Sequence, residues 1–162
     1  MSAAVRHPTW PVVLSMLVGL SLEVTPLPGG AAAWAPPWLA LAVIYWSLAY
    51  PRRYGLGLAW SSGLVLDVLK GGLLGQHALA LTVVALIAVR FHLRFRLFPI
   101  WQQAGMVGLV AAIHEFLIFW VDGLAGEAEL SWQRLIPPVT AALLWPPATA
   151  VLDRFRRWLG MG

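Results

Sequence analysis

The sequence predicts an all-α integral membrane protein built as a bundle of six transmembrane helices. Of its 162 residues, 60% are hydrophobic and 11% are charged, whereas a typical soluble domain carries about 25% charged residues. The apolar residues form six segments of a length suited to crossing a bilayer. Arginines are concentrated in alternate gaps between these segments, as expected when successive loops lie on opposite sides of a membrane.

Each predicted span ends at residues typical of a membrane interface or a helix boundary. Tryptophans lie at several span ends, where an amphipathic ring is favoured. Prolines close the first span, open and close the second, and enter the first turns of the sixth. Pro146 and Pro147 fall inside the sixth span and should kink it. We predict one transmembrane domain over residues 1–162, with spans at 10–27, 34–50, 55–69, 76–91, 101–124 and 132–152.

The first apolar segment has an alternative interpretation as a signal peptide. Arg6 precedes it and small residues follow it, which is the arrangement of a cleavable leader. Glu23 is a poor fit to the apolar core of such a leader. We therefore interpret the segment as a span.

The basic residues predict the orientation of the bundle. Nine of the eleven lysines and arginines fall in alternate gaps, and only Lys70 and Arg134 fall in the others. Because cytoplasmic loops are enriched in Lys and Arg, we expect both termini in the cytoplasm. We interpret the net charge of +4 as topology signals and anionic-lipid contacts rather than a nucleic-acid site. The inner-face basic residues are Arg6, Arg52, Arg53, Arg90, Arg94, Arg96, Arg154, Arg156 and Arg157.

Small residues and carboxylates share one face of the first, third and fifth spans. A buried carboxylate in a membrane costs a few kcal/mol and usually faces protein or water, while small side chains allow close helix packing. We expect these three spans to pack together through these faces. The stripes are Ser15, Gly19 and Glu23; Gly55, Ala59, Gly63 and Asp67; and Ala104, Gly108, Ala111, Glu115 and Asp122.

Together, these carboxylates predict a cavity or a partner groove in the outer half of the membrane. Glu115 is the deepest, about 10 Å inside the outer end of its span at 1.5 Å per residue. Glu23, Asp67 and Asp122 lie within about a turn of their span ends, so each could instead simply reach the wet interface.

Enzymatic interpretations have little support in the sequence. Asp67 and Asp122 could in principle form an aspartyl protease dyad, but no companion motif brings them together. His114 and Glu115 resemble the start of the HExxH metalloprotease motif, yet Ile118 occupies the second histidine position. The chain has no cysteine, and its histidines lack metal-ligand spacing. We predict no catalytic residue, metal or cofactor.

The chain resembles the MreD family of bacterial rod shape-determining membrane proteins over essentially its whole length. The most specific stretch is GLAWSSGLVLDVLKGGLLGQ at residues 57–76, with a glycine four residues before an aspartate and an LGQ-like turn. The other matching motifs are Pro37-Trp38, Tyr45-Trp46, Pro51-Arg52, Trp101-Gln102-Gln103, Phe119-Trp120 and Leu144-Trp145-Pro146.

The resemblance implies a non-enzymatic scaffold in the bacterial inner membrane. The expected direct partner is MreC, within a complex that couples MreB filaments to RodA and a class B penicillin-binding protein. The implied fold is similar to the substrate-binding components of energy-coupling-factor transporters, which makes a vitamin-type transporter subunit the alternative function. Those subunits typically carry an AxxxA face in the first span, where this chain has only Ser15 and Gly19.

The resemblance also suggests where MreC binds. We expect the outer half of the bundle, around Gly63 and Asp67, to receive its transmembrane or juxtamembrane segment. The inner-face arginines are then available to anionic lipid or to cytoplasmic partners, in addition to anchoring the topology.

Overall fold

The computed structural model describes residues 9–127 and 131–160, apart from the side chains of residues 30 and 32. Every regular element within these ranges is helical. Arg6, expected among the inner-face basic residues, lies outside the described residues. The long helices are α1 (Trp10–Val24), α2 (Trp38–Ala49), α3 (Leu56–Lys70), α4 (Gln76–Leu97), α5 (Ile100–Ala125) and α6 (Ile136–Trp158). Two short 3₁₀ helices cover Gly29–Trp34 and Trp132–Leu135.

The helices pack as three consecutive hairpins around α2 and α4. α1 packs on α2, α3 on α4 and α5 on α6, while α4 also contacts α2 and α5. We expected the first, third and fifth helices to pack together through their small faces. α1 and α3 do contact each other, but the glycines on these faces lie against the even helices instead. Each odd helix makes its extensive contact with the even helix that follows it. A small residue permits close approach of any neighbouring helix, so a stripe predicts a packed face without identifying the partner.

The second helix forms the centre of the bundle. Every residue from Leu39 to Leu48 is buried, and the Trp46 side chain is fully enclosed. A helix that is apolar on all sides has no face suited to water. The hydroxyl and indole groups of α2 form hydrogen bonds within the protein. For example, Trp46 Nε1 donates to Ser15 Oγ at 2.7 Å.

The fourth helix extends beyond its predicted end. The span was predicted to stop at residue 91 and be followed by a loop, but α4 continues to Leu97. Leucine and arginine are good helix formers, and the next helix-breaking residue is Pro99. His92, Arg94 and Arg96 therefore lie on a helix rather than in a loop.

The described helices differ in their capacity to span a membrane. Three segments are long and apolar enough to cross one: Gln76–Leu97, Ile100–Ala125 and Trp132–Trp158. Two shorter helices, Trp10–Val24 and Trp38–Ala49, are also apolar. At 1.5 Å per residue, the 12 residues of α2 cover about 18 Å, less than the hydrocarbon thickness of about 30 Å.

The bundle has two chemically distinct ends. At one end, which we call the arginine end, α2, α4 and α6 finish together: Arg96 Nη2 lies 3.4 Å from the carbonyl oxygen of Ala49, and Tyr45 on α2 donates to Asp153 on α6. We call the other end the carboxylate end. The last turns of α1 and α3 meet there, as the contact between Glu23 and Lys70 shows.

Candidate functional site at the carboxylate end

All four predicted site carboxylates lie towards the carboxylate end, but each has its own intramolecular partners. Glu23 contacts Lys70, Asp67 contacts the start of α4, Glu115 contacts His114, and Asp122 contacts Arg134. Glu23, Asp67 and Asp122 thus each contact another element of the bundle, whereas Glu115 contacts the neighbouring residue of its own helix.

Asp67 closes the start of α4. Its side chain is fully enclosed. One carboxylate oxygen accepts the backbone N–H of Gly75 at 2.8 Å, and the other accepts the backbone N–H of His77 at 2.9 Å. A carboxylate at a helix N-terminus satisfies amides that have no partner within the helix and interacts favourably with the helix dipole. Asp67 is thus enclosed by its own chain, in the manner of a helix cap.

Gly63 makes the closest contact between α3 and α4. A Cβ placed on Gly63 would lie 2.3 Å from Ala78 Cα and 2.5 Å from Ala78 N. No side chain larger than hydrogen fits there, because both neighbouring atoms belong to the backbone. The residues expected to receive a partner, Gly63 and Asp67, therefore face α4 inside the molecule and present no surface to another protein.

Two histidines extend the Asp67 contact towards α5. His77 Nδ1 lies 2.8 Å from Asp67 Oδ1, and the His77 and His114 ring centroids are 6.3 Å apart. His114 is buried, and its Nδ1 lies 3.3 Å from Glu115 Oε1. The result is a polar row across three helices. The sequence interpretation missed both histidines as structural partners; their position inside apolar helices was the available signal, since ionisable residues in spans usually have partners.

Asp122 connects three elements at the same end of the bundle. Its carboxylate accepts hydrogen bonds from Gln76 Nε2 and, at 2.8 Å, from Arg134 Nη2. The Arg134 guanidinium also lies 5.3 Å from the centre of the Phe119 ring. Arg134 precedes α6, so this ion pair fixes the entry to that helix.

Of the two residues in the contact between His114 and Glu115, Glu115 is the more exposed. It lines a cavity of about 430 Å³ between α5 and the start of α6, together with Phe116, Phe119 and Arg134. Its side chain is 21% exposed. Its carboxylate contacts His114 on one side and faces this cavity on the other.

The small-residue stripes lie at contacts within the hairpins. Gly19 faces the start of α2, where an added Cβ would lie 3.4 Å from Leu39 Cα. Gly108 faces α6, with Pro138 O at 3.2 Å. A Cβ on Gly55 would lie 3.4 Å from Val89 Cγ2 on α4. Of the remaining stripe members, Ser15 accepts from Trp46, Ala59 and Ala111 are fully buried, and Ala104 is partly buried.

An apolar groove runs along α1, α2 and α6. It encloses about 500 Å³. Near the arginine end, the rings of Trp10 and Phe155 meet edge to face with centroids 6.0 Å apart. The lining is rich in small and aliphatic residues, including Ser15, Val18, Gly19, Ala42, Ala148 and Val151.

Eight of the predicted inner-face arginines fall within the described residues. Arg52 and Arg53 are exposed in the turn after α2. Arg90, Arg94 and Arg96 lie on the last third of α4, and Arg154, Arg156 and Arg157 lie on the last turns of α6. Apart from the partly enclosed Arg156, these side chains are exposed.

Comparison with known proteins identifies the family. The family model described as rod shape-determining protein MreD matches residues 6–155. The Rod shape-determining protein MreD of Haemophilus influenzae is 34% identical over 149 residues, covering 91% of this chain and 92% of that protein. The chain belongs to the MreD family. No solved structure matches it.

Membership of the MreD family connects the helical bundle to cell shape. The site described here contains ion pairs and helix caps, and within residues 9–127 and 131–160 no three His, Asp or Glu side chains are grouped so as to hold a metal ion. Three of the four carboxylates, Glu23, Asp67 and Asp122, contact donors from other elements of the bundle. These contacts fix helix positions.

Proposed function

We propose that the protein is a multi-pass protein of the bacterial cytoplasmic membrane, with six spans and both termini in the cytoplasm. The support is the separation of charge in the fold: eight described arginines lie on or near the arginine end, whereas Lys70 and Arg134 lie at the carboxylate end. By the positive-inside rule, the arginine end faces the cytoplasm. The short helix α2 is surrounded by its neighbours, so its ends are shielded from lipid by protein.

Within this membrane, we propose a non-enzymatic scaffold of the cell-elongation complex. The protein would bind MreC and help to couple MreB filaments to peptidoglycan synthesis by RodA and a class B penicillin-binding protein. Membership of the MreD family is the observation that carries this proposal. The internal use of the carboxylates agrees with a scaffold, since a rigid bundle presents its outer faces in fixed positions.

The groove along α1, α2 and α6 is the best docking position for the transmembrane helix of MreC. Its floor carries Gly19 and Ala42 and its α6 wall carries Ala148, and small residues let two helix backbones approach closely. Transmembrane helix association depends on such packing, because lipid provides no hydrophobic driving force between helices. The enclosed residues Gly63 and Asp67 then support this face indirectly, by holding α3 on α4.

Co-purification with MreC in mild detergent tests the docking position. Ala148→Trp fills the groove from α6. Ala150→Trp, two residues further along the same helix, places the same ring on an exposed position outside the groove lining. We expect Ala148→Trp to reduce retained MreC about tenfold or more, the loss that corresponds to about 1.4 kcal/mol, and Ala150→Trp to retain it.

Two results would contradict the proposal. Retention of MreC by Ala148→Trp at the wild-type level would exclude the groove as its site. Absence of MreC from the wild-type preparation, together with a stoichiometric small molecule detected by mass spectrometry, would instead favour the transporter-subunit function. Both variants should elute from size exclusion as the wild type does, which separates loss of binding from loss of folding.

A further inference from the structure

A second cavity lies at the arginine end, opposite the carboxylate end of the bundle. It borders α2 and α6, as the proposed docking groove does, but none of its lining residues lines that groove. It encloses about 260 Å³ between the last turns of α2, α4 and α6 and the first turns of α5. Unlike the groove, it is lined by several charged and polar side chains alongside its apolar ones. The side chains that define its chemistry are Tyr45, Arg96, Gln103, Trp145, Asp153 and Arg156.

The charges lining this cavity do not balance. Two guanidinium groups, Arg96 and Arg156, are accompanied by one carboxylate, Asp153. That carboxylate is shared: its Oδ1 accepts the Tyr45 hydroxyl at 2.6 Å and lies 3.5 Å from Arg156 Nη2. The cavity therefore carries an excess of one positive charge and a carboxylate that is already engaged.

The two guanidinium groups also retain unused donors. Arg156 Nε is shielded from solvent and has no acceptor among the described residues. Arg96 Nη2 makes one long contact, 3.4 Å, to the carbonyl oxygen of Ala49. A guanidinium group has five N–H donors, and a shielded donor without an acceptor is costly. An anion in the cavity would supply both the missing charge and the missing acceptor oxygens.

The other polar groups are already paired. Trp145 Nε1 donates to Gln103 Oε1 at 3.3 Å, and Gln103 Nε2 donates to the carbonyl oxygen of Phe98. The Thr149 hydroxyl donates to backbone carbonyl oxygens of its own helix. The arginines are thus the groups with capacity for a ligand, and the paired groups fix the cavity walls.

We propose that this cavity binds a phosphate group through Arg96 and Arg156. A guanidinium group matches phosphate oxygens with two parallel N–H donors. The volume lies just below the range of about 300–1,000 Å³ typical of small-molecule sites, which suits a phosphate with a small polar substituent. The headgroup of an anionic lipid and soluble phosphate share this chemistry. The proposal does not depend on MreC binding.

Thermal unfolding of the detergent-solubilised protein tests this site. The probes are dioctanoyl phosphatidylglycerol, inorganic phosphate and dioctanoylglycerol, which has the same acyl chains without phosphate. The cavity variant is Arg96→Gln/Arg156→Gln. The control, Arg90→Gln/Arg154→Gln, removes the same charge from α4 and α6 at exposed positions outside the cavity lining.

We expect at least one phosphate-containing probe to raise the melting temperature of the wild type and the control, and dioctanoylglycerol to have no effect. In the cavity variant the apparent affinity should fall about tenfold or more, because charged hydrogen bonds are lost. Stabilisation by the lipid alone assigns the phosphate to a headgroup, and stabilisation by inorganic phosphate shows that the free ion suffices.

Equal affinity in the cavity variant and the wild type would overturn the proposal, as would an equal loss in the control or no stabilisation of the wild type by either phosphate. If the double variant does not fold, Arg96→Gln replaces it, since it leaves the contact between Arg156 and Asp153 intact. An unchanged phosphate affinity in that single variant would also contradict the assignment.

Discussion

The first and second hairpins are held by the same kind of contact, but the two helices lie closer together in the second hairpin. In α1–α2, Gly19 faces the start of α2, and Glu23, four residues later, accepts from the backbone N–H of Leu39 at 3.4 Å. In α3–α4, Gly63 faces the start of α4, and Asp67, four residues later, accepts from backbone N–H groups at 2.8 Å and 2.9 Å. A glycine thus brings the helices together, and a carboxylate one turn on binds the amides of the next helix.

The spacing of the helices and the burial of the carboxylate show that α3–α4 is the more tightly packed of the two hairpins. The α3–α4 contact excludes any added atom and buries its carboxylate, whereas the α1–α2 contact has ordinary van der Waals spacing and shares its carboxylate with Lys70. The third hairpin replaces the amide contact with an ion pair. Pro137 and Pro138 occupy the first turn of α6 and have no N–H to donate, and Asp122 binds Arg134 instead.

The largest expected effect is at the glycines. Gly63→Ala places a Cβ 2.3 Å from Ala78 Cα, so α3 and α4 must separate, at a cost of about 3 kcal/mol or more, the upper part of the range for overpacking. Gly19→Ala meets Leu39 at 3.4 Å, and should change stability by less than about 1 kcal/mol because alanine also has the better helix propensity. Unfolding with sodium dodecyl sulfate in mixed micelles measures both.

Equal stability of the two alanine variants would contradict the comparison, since it would mean that both hairpins have the same spacing. Gly57→Ala on α3 is the matched control, because no atom lies within 4 Å of the position that its Cβ would occupy.

Removing the carboxylate charge should have the next largest effect. Asp67→Asn keeps one acceptor oxygen but loses a charge that binds backbone amides of α4 and His77. We expect a loss of about 2 kcal/mol, in the range for hydrogen bonds to a charged group. Glu23→Gln, whose amide contact is 3.4 Å, should cost about 0.5 kcal/mol or less. The same unfolding titration separates these values.

Asp67→Asn also distinguishes a cap from a partner contact. We expect MreC retention to fall only in proportion to folded protein. Retention lost in a variant that unfolds as the wild type does would return Asp67 to the partner interface and contradict its role as an enclosed cap.

An intermediate effect is expected in the third hairpin. Gly108→Ala brings a Cβ within 3.0 Å of Ala142 Cβ and 3.2 Å of Pro138 O. These contacts require a shift of a few tenths of an ångström, so we expect a loss of about 1 kcal/mol, at the low end of the range for overpacking. The comparison predicts the order Gly63, Gly108, Gly19 in unfolding measurements, and any other order would contradict it.

The sequence predicted the helical class and the packed faces of α1, α3 and α5. The four-residue spacing of Gly63 and Asp67 places both on one helix face, and the structure confirms that helical periodicity. The partner helix was assigned incorrectly because periodicity identifies a face and leaves its neighbour open. The role of Asp67 was likewise undetermined, because a carboxylate near a span end can bind water, a partner or the amides of a following helix.

Two further features could not be predicted from the sequence, because each brings together residues that are far apart along the chain. The row from His77 to Glu115 joins residues nearly forty positions apart, on α4 and α5. The phosphate cavity joins Arg96 and Arg156 from α4 and α6. Charge counting assigned these two arginines to the same side as six other described arginines, but it could not show which of the eight line a cavity.

The smallest expected effect concerns the ion pair that joins the two hairpins. Lys70 Nζ lies 3.4 Å from Glu23 Oε1, and the lysine and glutamate side chains are 35% and 13% exposed. Such pairs are usually worth less than about 1 kcal/mol and weaken with salt. In a double-mutant cycle with Glu23→Gln and Lys70→Met, we expect a coupling of about 0.5 kcal/mol that declines between low and high salt. A coupling of 2 kcal/mol or more would lie well above the range of about 0.2–1 kcal/mol for exposed pairs. It would show that α1 is held as firmly as α4. The contrast between the first two hairpins would then be one of helix spacing alone.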